Sequence, residues 1–241
     1  MQNTSDSEES KGIAHMRDFL KQIVFGGNDG IVTTFAIVAG FAGAQAEGTA
    51  QIGGIAVLVF GLANLFADAV SMGLGEFLSL RSRNAMYRTR RGTIAADLHK
   101  GGRRAANAVE QFLTDRGIPN ARAREIGTGL SEHPDVMAEL AMMFAHGMTD
   151  PDGESPWKSG LVTFGAFVLF GALPLLPYFL GDTSDATLGW SATTTIVALV
   201  ALGLLRWRVT EDAAPQAIGE TVLVGALCAG VAYGVGWMVG G

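Results

Sequence analysis

In the stretch LANLFADAVSMGLGEFLSL, residues 62–80, three side chains able to bind a metal stand four residues apart: Asp68, Met72 and Glu76. The residues around them suit a helix in contact with lipid. A carboxylate at the centre of a bilayer costs on the order of 3 kcal/mol unless something compensates it. No Lys or Arg occurs between Ile23 and Leu80 to do so. An uncompensated acidic site of this kind invites a cation or protons. The thioether narrows the choice, because oxygen ligands alone favour magnesium or calcium, whereas sulfur among carboxylates suits a borderline divalent transition metal.

At about 100° per residue, Asn64, Asp68, Ser71, Met72, Gly75 and Ser79 share one helical face, with Glu76 at its margin. Leu62, Leu65, Phe66, Val70, Leu74 and Phe77 take the other sides. A second acid stands in FGGNDGIVTTF, where Asn28 and Asp29 interrupt an apolar run and Thr33 follows one turn later. Asp29 lies eight residues past Lys21, and Met72 nine residues before Arg81. Both are then roughly 12–14 Å from the basic ends of their helices. On that count Asp29 faces Met72, Glu76 lies nearer the basic side and Asp68 deeper, a ladder that forms a route. The bland alternatives are an aspartate that only ties helices together and a methionine that only packs.

These residues need elements to hold them. The chain has 241 residues, 49% of them hydrophobic, with 33 glycines and 17% charged residues. That composition is one of a polytopic membrane protein. Five stretches are long enough to cross a bilayer, roughly 23–45, 52–80, 159–180, 188–205 and 216–239. The second is longer than a span needs, so its end projects from the membrane. Pro174 and Pro177 are expected to kink or end the third. All 17 Lys and Arg side chains fall on one face under this assignment: three before span one, twelve between Arg81 and Lys158, and Arg206 with Arg208 after span four. Glu47, Asp182 and Asp185 fall on the other. The positive-inside rule then places the N-terminus in the cytosol and the C-terminus outside.

The expected fold is an all-α membrane protein. Residues 1–22 form a mobile cytosolic tail, 23–80 the two spans with the acids, 81–158 a cytosolic helical domain, and 159–241 the last three spans. Breaks at Gly117, Pro119 and Pro134 divide the cytosolic domain into helices. Gly230 and Gly234, four apart in span five, are a weak signal for close helix packing. Cys228 is the only cysteine, so no intrachain disulfide can form. A net charge of −6 and the lack of aromatics interleaved with basic residues argue against nucleic acid as a partner.

The cytosolic domain carries a second stripe in HPDVMAELAMMFAHGM, residues 133–148. Asp135, Glu139, Met142, Met143 and His146 fall within about 100° of one another, while Met137, Leu140, Ala141 and Phe144 take the packing side. Carboxylate, thioether and imidazole on one face suit a soft-to-borderline metal. A core in which the methionines merely fill gaps is the competing reading. His15, His99 and His133 are isolated surface histidines. The run RSRNAMYRTRR, residues 81–91, anchors the topology and could bind anions.

Taken together, FGGNDGIVTTFAIVAGFAGA, ADAVSMGLGEFLS, the paired methionines and ALPLLPYFL resemble the vacuolar iron transporter family of yeast, plants and bacteria. The resemblance covers nearly the whole chain. It implies five spans, a homodimer with the metal path between subunits, and exchange of cytosolic Fe²⁺ or Mn²⁺ for protons, with no cofactor beyond the transported ion. Carried onto this chain, it makes Asp29, Met72 and Glu76 the path residues, with Asp68 a possible addition. One departure concerns the cytosolic metal site. Where the family has several glutamates after span two, this chain has NAMYRTRRGTIAADLHKGGRRAANAVEQ, leaving Asp97, His99 and Glu110. His146 stands where a glutamate is expected after the methionines. The cytosolic site is therefore expected to be weakened, retuned or lost. Two other classes stay open: a membrane metal sensor that binds without flux, and an intramembrane enzyme using Asp29 and Asp68 as a carboxylate pair. A bacterial plasma membrane, with efflux from the cytosol, is the expected setting.

Overall fold

The computed structural model describes residues 2–44, 50–151, 153, 155–180, 185–210 and 213–240. Glu47 and Asp182 lie outside the described residues. Among those described there is helix and no strand: α1 (Gln2–Gly43), α2 (Ala50–His99), α3 (Arg104–Asp115), α4 (Asn120–Ser131), α5 (Pro134–His146), α6 (Pro156–Gly171), α7 (Leu176–Leu180), α8 (Asp185–Thr210) and α9 (Ala214–Gly240). Five segments are long and apolar enough to cross a membrane: Phe19–Gly43, Gly54–His99, Pro156–Leu180, Ala186–Arg208 and Ala214–Gly240. The protein is an all-α membrane protein, with its spans where hydropathy puts them.

The N-terminal stretch expected to form the tail is helical, because α1 begins at Gln2. Gly12 is the only strong helix breaker between Gln2 and Phe19, at a cost of about 1 kcal/mol, and no proline interrupts the run. Polarity there argued for solvent, but polarity alone does not argue for coil.

The chain divides into two compact units, one of Met1–Phe77 with Trp157–Gly241 and one of Leu78–Pro156. In the first, helices meet where side chains are smallest, since lipid offers no hydrophobic force to drive them together. A methyl group added at Gly73 would stand 2.9 Å from the Gly160 carbonyl oxygen, so α2 and α6 touch backbone to backbone. Gly30 of α1 is pressed in the same way on the Phe167 carbonyl of α6. Leu65, Ala69 and Phe167 form a buried cluster beside these contacts, and Ile31, Ala198, Leu199 and Leu202 form another. After Gly171 the third span breaks into a 3-10 turn, Leu173–Leu175, and the short α7, as its two prolines require. The Ser191 hydroxyl of α8 donates to the Pro174 carbonyl at 2.7 Å, satisfying an acceptor in the broken turn.

In the second unit, Leu98 from α2 packs with Ala105, Ala106 and Val109 of α3 and Met137, Ala138 and Ala141 of α5. Pro134 occupies the first turn of α5, and Gly147 closes that helix in a left-handed conformation, φ 61°. The Met148 amide donates to the Met142 carbonyl at 3.0 Å, completing the cap. Phe112 and Phe144 stack at 4.2 Å, with the Arg116 guanidinium over the Phe112 ring.

The glycine pair read from span five is not the one that packs. Nothing lies within 4 Å of a side chain built at Gly230 or Gly234, whereas Gly236 is pressed on the Gly40 carbonyl of α1. Gly236→Leu is therefore expected to lower the melting temperature of the detergent-solubilised protein by several degrees. Gly234→Leu, two residues away, should leave it unchanged or slightly raised, since leucine is the better helix former.

Candidate metal path

The NDG segment shows how a helix can pack and bind at once. Gly26, Gly27 and Gly30 are buried against α6 and α8, where added side chains would meet Thr163, Phe170, Leu202 and Phe167. Asp29 lies about a third of a turn round from the centre of that face and is half-buried. Thr33 donates to the Asp29 carbonyl at 2.7 Å, and the Asn28 side-chain oxygen is buried without a hydrogen-bond partner.

On α2, Gly61, Leu65, Ala69 and Gly73 are the buried face. Asn64, Asp68, Met72 and Glu76 run along its flank, each half-buried, and Ser71, Gly75 and Ser79 beyond them are exposed. Met72 packs at the edge of the Leu65–Ala69–Phe167 cluster. Asn64 donates to the Asp68 carboxylate at 2.7 Å. Gln22 donates from Nε2 to Glu76 Oε1 at 3.0 Å. On the far side of Asp68 from Glu76, Asn64 lines an apolar groove of about 830 Å³ with Ala36, Gly40, Ala63 and Ala67.

The Gln22–Glu76 hydrogen bond marks the register of the two helices. Asp29 is seven residues beyond Gln22 and Asp68 eight residues beyond Glu76, advances of about 10 and 12 Å. Asp29 thus pairs in depth with Asp68, and the two carboxylates are close enough to interact electrostatically. Counting residues from Lys21 and Arg81 had matched Asp29 to Met72 instead. That count took Arg81 as the end of a helix which in fact continues to His99. The signal for Gln22 in the sequence is its spacing of seven from Asp29, which places it on the same helical face.

The second stripe is not assembled. Met142 is fully buried and Met143 is 45% exposed, so the paired methionines face different surroundings. The packing surface of α5 is wider than the sequence pattern suggested, and it takes in Met142. Glu139 and His146 are exposed, and Asp135 is held by Arg91 at 3.3 Å. His146 lines a groove of about 620 Å³ with Met86, Thr89, Arg90 and Thr93. Arg90 brings a positive charge to the same groove, which works against binding a cation there. Glu110 is paired with Arg103 at 2.9 Å, and Asp97 shares another groove with Lys100. Among the described residues no three His, Cys, Asp or Glu side chains cluster as a metal site.

Known proteins match this chain along most of its length. The VIT family model matches residues 20–237. Vacuolar iron transporter 1 of Oryza sativa subsp. japonica is 28% identical over 218 residues, covering 90% of this chain and 84% of that protein. The vacuolar iron transporter of Toxoplasma gondii is 30% identical over 228 residues, covering 91% and 74%. Vacuolar iron transporter 1 of Arabidopsis thaliana is 27% identical over 216 residues, covering 90% and 84%.

The dispersal of the second stripe has a direct test. The double variant Glu139→Gln, His146→Ala should bind as much Mn²⁺ per chain as the unaltered protein when titrated by calorimetry in detergent. Asp29→Asn should weaken that binding at least tenfold.

Proposed function

Since the chain belongs to the VIT family, we propose that it is a divalent transition-metal transporter that carries Fe²⁺, and also Mn²⁺, out of the cytosol in exchange for protons. The observation that carries this reading is the alignment of Asp29, Asp68, Met72 and Glu76 along two packed helices that carry no basic side chain from Ile23 to Leu80. The relatives' names, vacuolar iron transporters, support iron as the cargo. The N-terminus and the basic segment between the second and third spans are cytosolic, and the setting is a bacterial plasma membrane.

The ion enters at Glu76 and moves to Met72, whose thioether favours Fe²⁺ over harder cations. It then reaches the Asp29–Asp68 pair, where two carboxylates at one depth can hold a divalent charge between them. A carboxylate must lose its proton to bind metal, so loading releases protons and unloading recovers them. This is the chemistry of exchange. The exposed Ser71, Gly75 and Ser79 leave one side of the stripe uncovered. A second copy related by a two-fold axis covers it and doubles the ligands, so the transporter works as a homodimer with its path between subunits.

The proximity of Asp29 and Asp68 also fits a proton-sharing dyad of the kind a hydrolase uses. That reading leaves Met72 and Glu76 without a role, and the similar proteins are named as transporters. A sensor that binds without conducting needs the same ligands, and flux separates it from a transporter. Proteoliposomes with an imposed pH gradient and an internal metal indicator test all three. The unaltered protein should move Fe²⁺ and Mn²⁺ with opposite movement of protons and cleave no reconstituted membrane peptide. Asp29→Asn and Asp68→Asn should each lower the rate at least tenfold, and Met72→Ala should lower Fe²⁺ flux more than Mn²⁺ flux. Metal binding without flux in the unaltered protein would overturn transport in favour of sensing.

A further inference from the structure

Gln22 stands out among the polar groups of the first unit. Its side chain is 9% exposed and lies within the first span, three residues past Phe19. Its Nε2 donates to Glu76 Oε1 at 3.0 Å. Its own Oε1 is buried and accepts no hydrogen bond. Buried polar atoms are nearly always satisfied, so an orphan acceptor beside a carboxylate calls for a positive or hydrogen-bearing occupant.

We propose that Gln22 is a metal ligand at the cytosolic mouth of the path, its amide Oε1 and the Glu76 carboxylate forming the subsite that receives the incoming ion. The assignment rests on the transport reading for its direction and on geometry for its ligands. The hydrogen bond from Nε2 occupies one oxygen of Glu76 and orients the other, so Gln22 both binds and positions. An amide oxygen with a carboxylate is a hard donor pair, suited to an ion that still carries part of its water shell. Met72 lies one turn further in and demands closer, softer contact. The path is thereby graded, with oxygen at the mouth, sulfur next and the acid pair beyond.

The neutrality of Gln22 matters for rate. A second carboxylate at this position would hold the ion more tightly and release it more slowly, and conduction requires a site weak enough to leave. Asp68 is treated differently on the same helix, because its partner Asn64 donates from a half-buried position and lines an open groove.

The test compares the full-length unaltered protein with Gln22→Leu and Gln22→Glu, measuring Mn²⁺ and Fe²⁺ flux in proteoliposomes and Mn²⁺ binding in detergent. Gln22→Leu should raise the half-saturating metal concentration at least fivefold, with the maximal rate changed less than twofold and the melting temperature held. Gln22→Glu should lower the half-saturating concentration and slow the maximal rate several-fold. Unchanged half-saturation and unchanged Mn²⁺ affinity in Gln22→Leu would overturn the assignment, as would a proportional loss of both rate and melting temperature. If Gln22→Leu does not fold, Gln22→Glu decides: affinity and rate moving in opposite directions support a ligand, and no change overturns it. Should the unaltered protein bind Mn²⁺ but carry none, the transport reading fails by itself, and the affinity difference between the variants still judges Gln22.

Discussion

Helix α6 is the template on which the first two spans are aligned. Its Thr163 and Phe167 carbonyls receive Gly26 and Gly30 of α1, and Gly160 receives Gly73 of α2. Contacts of backbone against backbone leave no room for sliding, because a shift of one residue would drive a side chain into a carbonyl oxygen. In a bilayer, where apolar side chains gain little by leaving lipid for each other, such fits are the main source of helix specificity. The acids then project from flanks that glycine does not occupy. Asp29, Asp68, Met72 and Glu76 are held at chosen depths by residues that have no ligand chemistry of their own.

Much of this was legible in the sequence because the bilayer imposes so coarse a rule. Runs of apolar residues the length of a hydrocarbon core gave the five spans, and proline and glycine gave the breaks in the third span and between α3, α4 and α5. What needed three dimensions was register. The depth of Asp29 relative to α2 is read from one hydrogen bond between residues 22 and 76, and no count from the ends of helices contains it. Met142 escaped for a related reason. A face drawn at 100° per residue has no edge until a neighbouring helix supplies one, and here the buried face of α5 runs from Met137 through Ala138 and Ala141 to Met142. Gly230 and Gly234 have the spacing of a packing motif, but Gly225, five residues before the pair, and Gly236, two residues after it, make the contacts.

The second unit is a helical domain in which several of the charged side chains are engaged with one another. Glu110 is paired with Arg103 and Asp135 with Arg91, and His146 shares a groove with Arg90. Of the other acids read as candidates, Asp97 shares a groove with Lys100 and Glu139 is exposed. The unit's stability does not depend on those groups, because Leu98, Val109 and Met137 with the small residues around them supply the core.

The NDG segment looks like a single word when read along the chain, but its letters answer to separate demands. Gly26, Gly27 and Gly30 are fixed by carpentry, and Asp29 by coordination. The two can therefore be inherited independently. A descendant that lost the aspartate could keep its five-helix frame intact, because no packing contact described for α1 passes through that carboxylate. A descendant that lost Gly30 would lose the frame and the binding residue's position together. Of the two kinds of letter, the glycines are the stricter obligation, and a chain that retains them alone keeps the scaffold for whatever use its remaining surface allows.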